Sequence, residues 1–355
     1  MTGLEPYGWN ASLAQQFSSK YGENCKPGRV ILQQSTFAVI TVDGLRTCSL
    51  AGRLKYLAGG AEDLPVIGDW VAVDSTDAPG SGRIVDVLPR TSCFIRKVPG
   101  ERTVAQVIAA NIDFVLLVSG LDGEFNPARI ERYMVLARES RAEPILVLNK
   151  ADLCTDIESV LVLAAEAAPG IRSIPMSAKT GEGFEELATC VREGVTCALL
   201  GSSGVGKSSI VNLFLGSERM KVMEVRASDS RGRHATTHRE LILLPSGGML
   251  IDTPGMRELQ LWSESTGMEG AFEDIETLAL ECKFTDCRHE AEPGCAVLAA
   301  LDGGTLDAAR FESYRKLQRE LQHLQGKHDI RARILAKREA KRISAAQRRW
   351  DKRDQ

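Results

Sequence analysis

A chain of 355 residues with 43% hydrophobic and 26% charged content has the composition of a globular protein and is long enough for two or three cores. No apolar run approaches the roughly 18 residues that cross a bilayer, and the opening stretch MTGLEPYGWNASLAQQF lacks the basic and apolar regions of a secretory signal, so a cytoplasmic protein without a membrane is expected. Nine scattered cysteines, an odd number, argue against a disulfide framework and for reduced thiols or metal ligands, while the formal net charge of −3 hides an uneven distribution along the chain.

After an N-terminal extension, 1–27, residues 28–97 alternate as short strands do. RVILQQ, FAVITV, RTCSLAG, DWVAVD and GRIVDVLP are β-prone segments separated by Gly, Pro and Asp. Five such strands in about 70 residues predict a small closed barrel of the OB-fold type, which either binds RNA or only supports its neighbour.

From 98 to 265 the texture becomes that of an α/β domain. IDFVLLVS, PILVLNK, IRSIPMS, TCALLG and GMLIDTPG are continuous apolar runs, the pattern of strands covered on both faces. A helix is predicted over Pro127–Ser140, with Pro127 at its first position.

Four of these strands end in nucleotide chemistry. GSSGVGKSS, comprising Gly201, Ser202, Ser203, Gly204, Val205, Gly206, Lys207, Ser208 and Ser209, comes after the strand TCALL and opens a helix, the context a phosphate loop requires. Its glycines let backbone N–H groups curl around a phosphate, and the helix adds its positive end. Lys207 supplies charge to the β and γ phosphates, and the Ser208 hydroxyl holds Mg²⁺. DTPG places Asp252 where it reaches that metal through water and the Gly255 N–H where it senses the γ-phosphate. Between them RGRHATTHREL offers Thr236 or Thr237 to cap the metal.

The base is read by NKAD. The Asp152 carboxylate accepts from guanine N1 and N2, a pair adenine lacks, while Asn149 braces the loop and the Lys150 stem packs along the ring. Ser177, Ala178 and Lys179 come after another strand and place N–H groups near guanine O6. The base loop thus precedes the phosphate loop, the reverse of the usual order. Termini of compact domains often lie close together, so joining the old ends and opening new ones preserves every ligand contact. The new end falls just after DTPG, and the chain there must be held by the next domain.

That domain, residues 266–325, is predicted to be helical and built on CKFTDCRHEAEPGC. Cys282, Cys287, His289 and Cys295 form C-x4-C-x-H-x5-C, a closed tetrahedral donor set for one structural Zn²⁺ that folds a piece with little core of its own. The tail, 326–355, carries eleven Lys and Arg against four Asp and Glu. That excess fits a polyanionic partner or a solvated terminus.

A barrel succeeded by NKAD, SAK, GSSGVGKSS, DTPG and the Cys3His cluster resembles the circularly permuted ribosome small-subunit-dependent GTPase A family, RsgA or YjeQ, over about Arg29 to Gln325. The resemblance implies a multidomain α+β protein, with an OB-fold barrel, a central permuted P-loop GTPase domain and a C-terminal helical zinc domain. It implies a monomer that binds the small ribosomal subunit and its rRNA late in maturation, with GTP hydrolysed to GDP under stimulation by the subunit. In the expected switch loop Ala235 stands where the family often has threonine. Met256 occupies the position from which many GTPases orient the attacking water, so slow unassisted turnover is expected, with the missing group supplied by His234, His238 or the RNA partner.

Overall fold

The computed structural model describes residues 3–22, 24–74, 80–97, 105–123, 125–216, 239–252 and 271–322. Thr236, Thr237, His234, His238, Gly255, Met256 and the basic tail lie outside the described residues.

The alternating segments form β1 (Cys25–Gln33), β2 (Phe37–Thr41), β3 (Gly44–Leu50), β4 (Trp70–Asp74) and β5 (Ser81–Val87). They pair in the order β1-β2-β3-β5-β4, and β4 returns to β1, closing a five-stranded barrel. Val30, Val39, Val71, Val73 and Ile84 fill its interior. The intervening β4 residues Trp70 and Ala72 point outward, as a period of two requires. They are nonetheless buried, because Leu4, Trp9 and Phe17 of the N-terminal segment cover them. Phe17 lies on α1 (Ala11–Lys20), a helix started by Asn10, whose side chain accepts from the Leu13 N–H at 3.0 Å. A short helix, α2 (Gly52–Leu57), comes after β3, and a hairpin of β6 (Cys93–Lys97) and β7 (Ala105–Ala110) leads out of the barrel.

The apolar runs form a second set: β8 (Phe114–Gly120), β9 (Glu143–Asn149), β10 (Ser173–Pro175), β11 (Thr196–Leu200), β12 (Arg239–Leu243) and β13 (Met249–Asp252). Their order is β10-β9-β8-β11-β13-β12, parallel except for β12. The helices are α3 (Pro127–Ser140), α4 (Ile157–Ala167), α5 (Phe184–Cys190) and α6 (Lys207–Leu215). Helix α3 has the predicted span, with Asn126 as its cap.

Strand β12 was not evident in the sequence. It lies antiparallel to β13 on one side and to β1 of the barrel on the other, where Glu240 faces Leu32. One eleven-stranded sheet therefore runs from the base loop into the barrel, and the two share one compact unit, residues 1–260.

Arg29 pins that junction. It lies on β1, is 2% exposed, and donates to the Gly68 carbonyl at 3.3 Å, the Asn111 carbonyl at 2.9 Å and Thr196 Oγ1 at 2.8 Å. It also donates to the Tyr7 carbonyl and lies over the Trp70 ring. Burial pushes its pKa down to about 10, opposed by the charges of Asp113 and Asp69, so it stays cationic at neutral pH. Thr196 begins β11, the strand that carries the phosphate loop.

Residues 261–355 make up the second unit. Helices α7 (Glu273–Leu280) and α8 (Ala296–Asp302) and a helix over 308–322 bury Phe272, Ile275, Val297, Phe311 and Tyr314. Arg310 joins Asp274 through two hydrogen bonds of 2.6 and 2.7 Å, donates to the Ala271 carbonyl at 3.1 Å and lies over Phe272.

Candidate nucleotide site and metal centre

All three nucleotide loops stand at the carboxyl ends of parallel strands of one sheet, β10, β9 and β11, with β8 between the last two, the edge where α/β sheets bind ligands. The phosphate loop runs from the end of β11 to α6. Gly204 and Gly206 take left-handed φ values of 83° and 97°, which side chains disfavour. Gly206 also precedes α6 and provides no side-chain cap, leaving the first-turn N–H groups to an anion. Lys207 Nζ donates to the carbonyls of Gly201 and Ser202 at 2.6 and 2.5 Å.

Asn149 joins the loops. At the end of β9 and 2% exposed, it donates through Nδ2 to the Val205 carbonyl at 2.7 Å and accepts through Oδ1 from the Ala178 N–H at 2.9 Å. A Cβ on Gly206 would meet Asn149 Nδ2 at 2.1 Å, so that glycine is required by the base loop as well as by its own φ. Residues 50 or more apart in sequence are thus brought into one crevice.

Asp152 is exposed, and its Oδ1 accepts from the Ser177 hydroxyl at 2.6 Å. Ser177 is fully buried, and its Oγ accepts from the N–H groups of Lys179 and Thr180 at 3.3 and 3.2 Å. The Ala178 N–H, expected to face guanine O6, is given to Asn149 in this arrangement, so a base would share it. Lys150 sits in the left-handed region, φ 66°, with its ammonium on Asp122.

Ser208 lies in the first turn of α6, and Asp252 ends β13, next to β11. A hydroxyl and a carboxylate residue thus stand at the same edge of the sheet, a placement that suits Mg²⁺ beside a phosphate.

Sequence reasoning missed Asp122 and Arg129. Asp122 comes just after β8 and pairs with Lys150, while Arg129, in the first turn of α3, donates to Ser202 Oγ of the phosphate loop at 3.2 Å. The only signal for them was position: both lie just beyond a strand adjacent to the phosphate-loop strand.

In the second unit, the donor atoms of Cys282, Cys287, His289 and Cys295 all lie within 4.8 Å of one another. Tetrahedral zinc with bonds of about 2.3 Å to sulfur and about 2.0 Å to nitrogen requires edges of about 3.8 Å between thiolates and about 3.5 Å between thiolate and imidazole. The observed separations are 3.8 Å for Cys282 to Cys295, 3.6 Å for Cys282 Sγ to His289 Nδ1 and 3.3 Å for His289 Nδ1 to Cys295 Sγ. The residues fit the ion, and His289 presents Nδ1. Cys295 also caps α8, accepting from the Leu298 N–H at 3.4 Å.

The sheet order, the phosphate loop on its central strand and the base loop earlier in the chain define a circularly permuted P-loop GTPase. Comparison with known proteins narrows the class. The RsgA GTPase family model matches residues 87–262, and a second model, 50S ribosome-binding GTPase, matches 196–331. The protein named "Small ribosomal subunit biogenesis GTPase RsgA" from Syntrophotalea carbinolica is 40% identical, over 98% of this chain and 97% of its own. Its namesake from Streptomyces coelicolor is 43% identical over 97% and 93%. The crystal structure of YjeQ from Thermotoga maritima superposes with a TM-score of 0.63 at 28% identity, covering 84% of this chain and 99% of that one. The chain belongs to the RsgA GTPase family, and it is a GTP hydrolase.

Proposed function

We propose that this protein hydrolyses GTP while bound to the small ribosomal subunit, in the subunit's biogenesis, and that the subunit accelerates the hydrolysis. The observation that carries the reading is the Asn149 bridge, which fixes the phosphate and base loops in one crevice on a chain whose near-full-length relatives bear that name.

In that site Asp152 reads guanine N1 and N2, the Lys150 stem lies along the base, and the loop of Ser177, Ala178 and Lys179 faces O6. The N–H groups of the 201–209 loop and Lys207 hold the phosphates. Ser208 and Asp252 hold Mg²⁺, which when bound neutralises charge on the β and γ phosphates. Thr236 or Thr237 and Gly255 hold their loops against the γ-phosphate, with His234 a candidate to position water. Loss of these contacts after hydrolysis relaxes the subunit-binding pose. The Cys3His set holds one structural Zn²⁺, the barrel and the basic tail touch rRNA, and the protein acts as a cytoplasmic monomer. Among the described residues no helix is long and apolar enough to cross a membrane.

The test is GTP turnover with and without purified small subunits. Stimulation by one or more orders of magnitude is the expected result. Phosphate transfer to a small acceptor without stimulation would replace this reading with a metabolic enzyme, and no hydrolysis with either would leave an RNA-binding module.

A further inference from the structure

His289 has a φ of 56°, in the left-handed region that few residues other than glycine adopt, although histidine does so more readily than most. The conformation turns Nδ1 toward Cys282 and Cys295, so something must hold it there in competition with the ordinary right-handed and extended basins.

The adjoining backbone supplies the reason. Glu292 folds back over the turn, and its Oε1 accepts from the Arg288 N–H at 2.9 Å. Its Oε2 accepts from the Glu290 N–H at 2.8 Å and the Ala291 N–H at 3.1 Å. The bonded N–H groups thus flank His289 on both sides. These N–H groups, those of Glu290 and Arg288 foremost, hold the Glu292 carboxyl down to about 2, so it is an anion at every ordinary pH. The other acid of the turn does something else: Glu290 directs its carboxylate outward to Arg315 at 3.0 Å.

We propose that Glu292 is the positioning residue of the metal centre, its carboxylate gathering the N–H groups around His289 so that Nδ1 meets the three thiols already in register. The inference rests on reading the Cys3His set as a zinc site. Without Glu292 the four donors remain in the chain, but the turn must be ordered at the moment the metal binds, and the affinity falls by that cost. Groups that orient metal ligands from outside the coordination sphere are commonly worth about 10- to 100-fold in affinity.

The experiment compares zinc binding by the full-length protein and its Glu292→Gln, Glu292→Ala and Glu290→Gln variants, measured by competition with a chromogenic chelator. Glutamine retains one acceptor oxygen but turns an NH2 toward backbone donors, so Glu292→Gln should weaken zinc about 10-fold and Glu292→Ala up to about 100-fold. Glu290→Gln should bind as the wild type does. The Co²⁺ forms of wild type and Glu292→Gln should have the same visible spectrum, since the four ligands are unchanged, while the variant releases the metal to chelator faster. Wild-type affinity in both Glu292 variants, or a loss no larger than that of Glu290→Gln, would overturn the role of Glu292 and leave the zinc reading standing. A wild-type chain that holds no zinc would overturn the zinc reading, and the role of Glu292 with it.

Discussion

Replacing Asn149 with alanine should weaken GTP binding by about 100-fold while leaving Asp152, Lys207 and every phosphate-loop residue in place. The side chain makes two hydrogen bonds, to the Val205 carbonyl and from the Ala178 N–H, each worth about 1 kcal/mol. Removing it leaves the carbonyl of buried Val205 without its donor, a desolvated orphan costing about 1–3 kcal/mol, and frees the half-buried Ala178 N–H from the geometry that aims it. A total near 3 kcal/mol corresponds to about two orders of magnitude in affinity. Because the Val205 carbonyl lies in the phosphate loop and the Ala178 N–H in the loop expected to face the base, the cost is met when the two loops are brought into binding geometry. Titration with a fluorescent guanine nucleotide checks it, and near-wild-type affinity would show that the phosphate and base loops are not held together by this residue.

The second large effect concerns stability. Arg29→Met should destabilise the unit of residues 1–260 by about 3–5 kcal/mol, the range for removing one partner from a buried charged network. Methionine fills much of the volume, and replacing a buried ion pair by apolar side chains can be neutral. Here, however, most of the acceptors are backbone carbonyls, those of Tyr7, Gly68 and Asn111, which no compensating substitution removes. Left without a donor, they lose the compensation that made their burial tolerable. At about 2–4 °C per kcal/mol, the melting temperature should fall on the order of 10 °C. Arg172→Met is the control: its ion pair with Glu186 is half exposed on both sides, so its loss should cost no more than about 1 kcal/mol. Equal melting points for the two variants would refute the assignment of Arg29 as the pin between barrel and nucleotide sheet.

The same contacts bear on how the permuted order works. The chain that carries Thr236 and Thr237 enters the described structure at Arg239, where β12 pairs with Gln33 of barrel strand β1, and Arg29 on that strand reaches Thr196 at the start of the phosphate-loop strand. The barrel is therefore joined to both sides of the candidate site by hydrogen bonds. In a sequence reading it is only a neighbouring domain.

Much was determined by sequence alone, and for a local reason. Alternation of period two predicts β1 to β5, continuous apolar runs predict β8, β9, β10, β11 and β13, and Pro127 behind Asn126 starts α3, because each signal is carried by residues adjacent along the chain. The phosphate loop and the base loop were legible for the same cause, since the chemistry of each resides in consecutive residues. The Cys3His set was legible because its four donors fall within fourteen residues. Only the tertiary structure decided the remainder. Strand β12, RELIL, has a charged start and a short apolar end, and becomes a strand because β13 and β1 offer their backbone groups on either side. Arg29 reads as an ordinary polar residue at the start of a strand, and it is buried because carbonyls from three distant segments converge on it. Asn149 reads as a brace for its own loop, whereas its partners lie 29 and 56 positions away. In each case the deciding energy is the satisfaction of a polar group removed from water, and its partner is set by the packing of the sheet rather than by spacing along the chain.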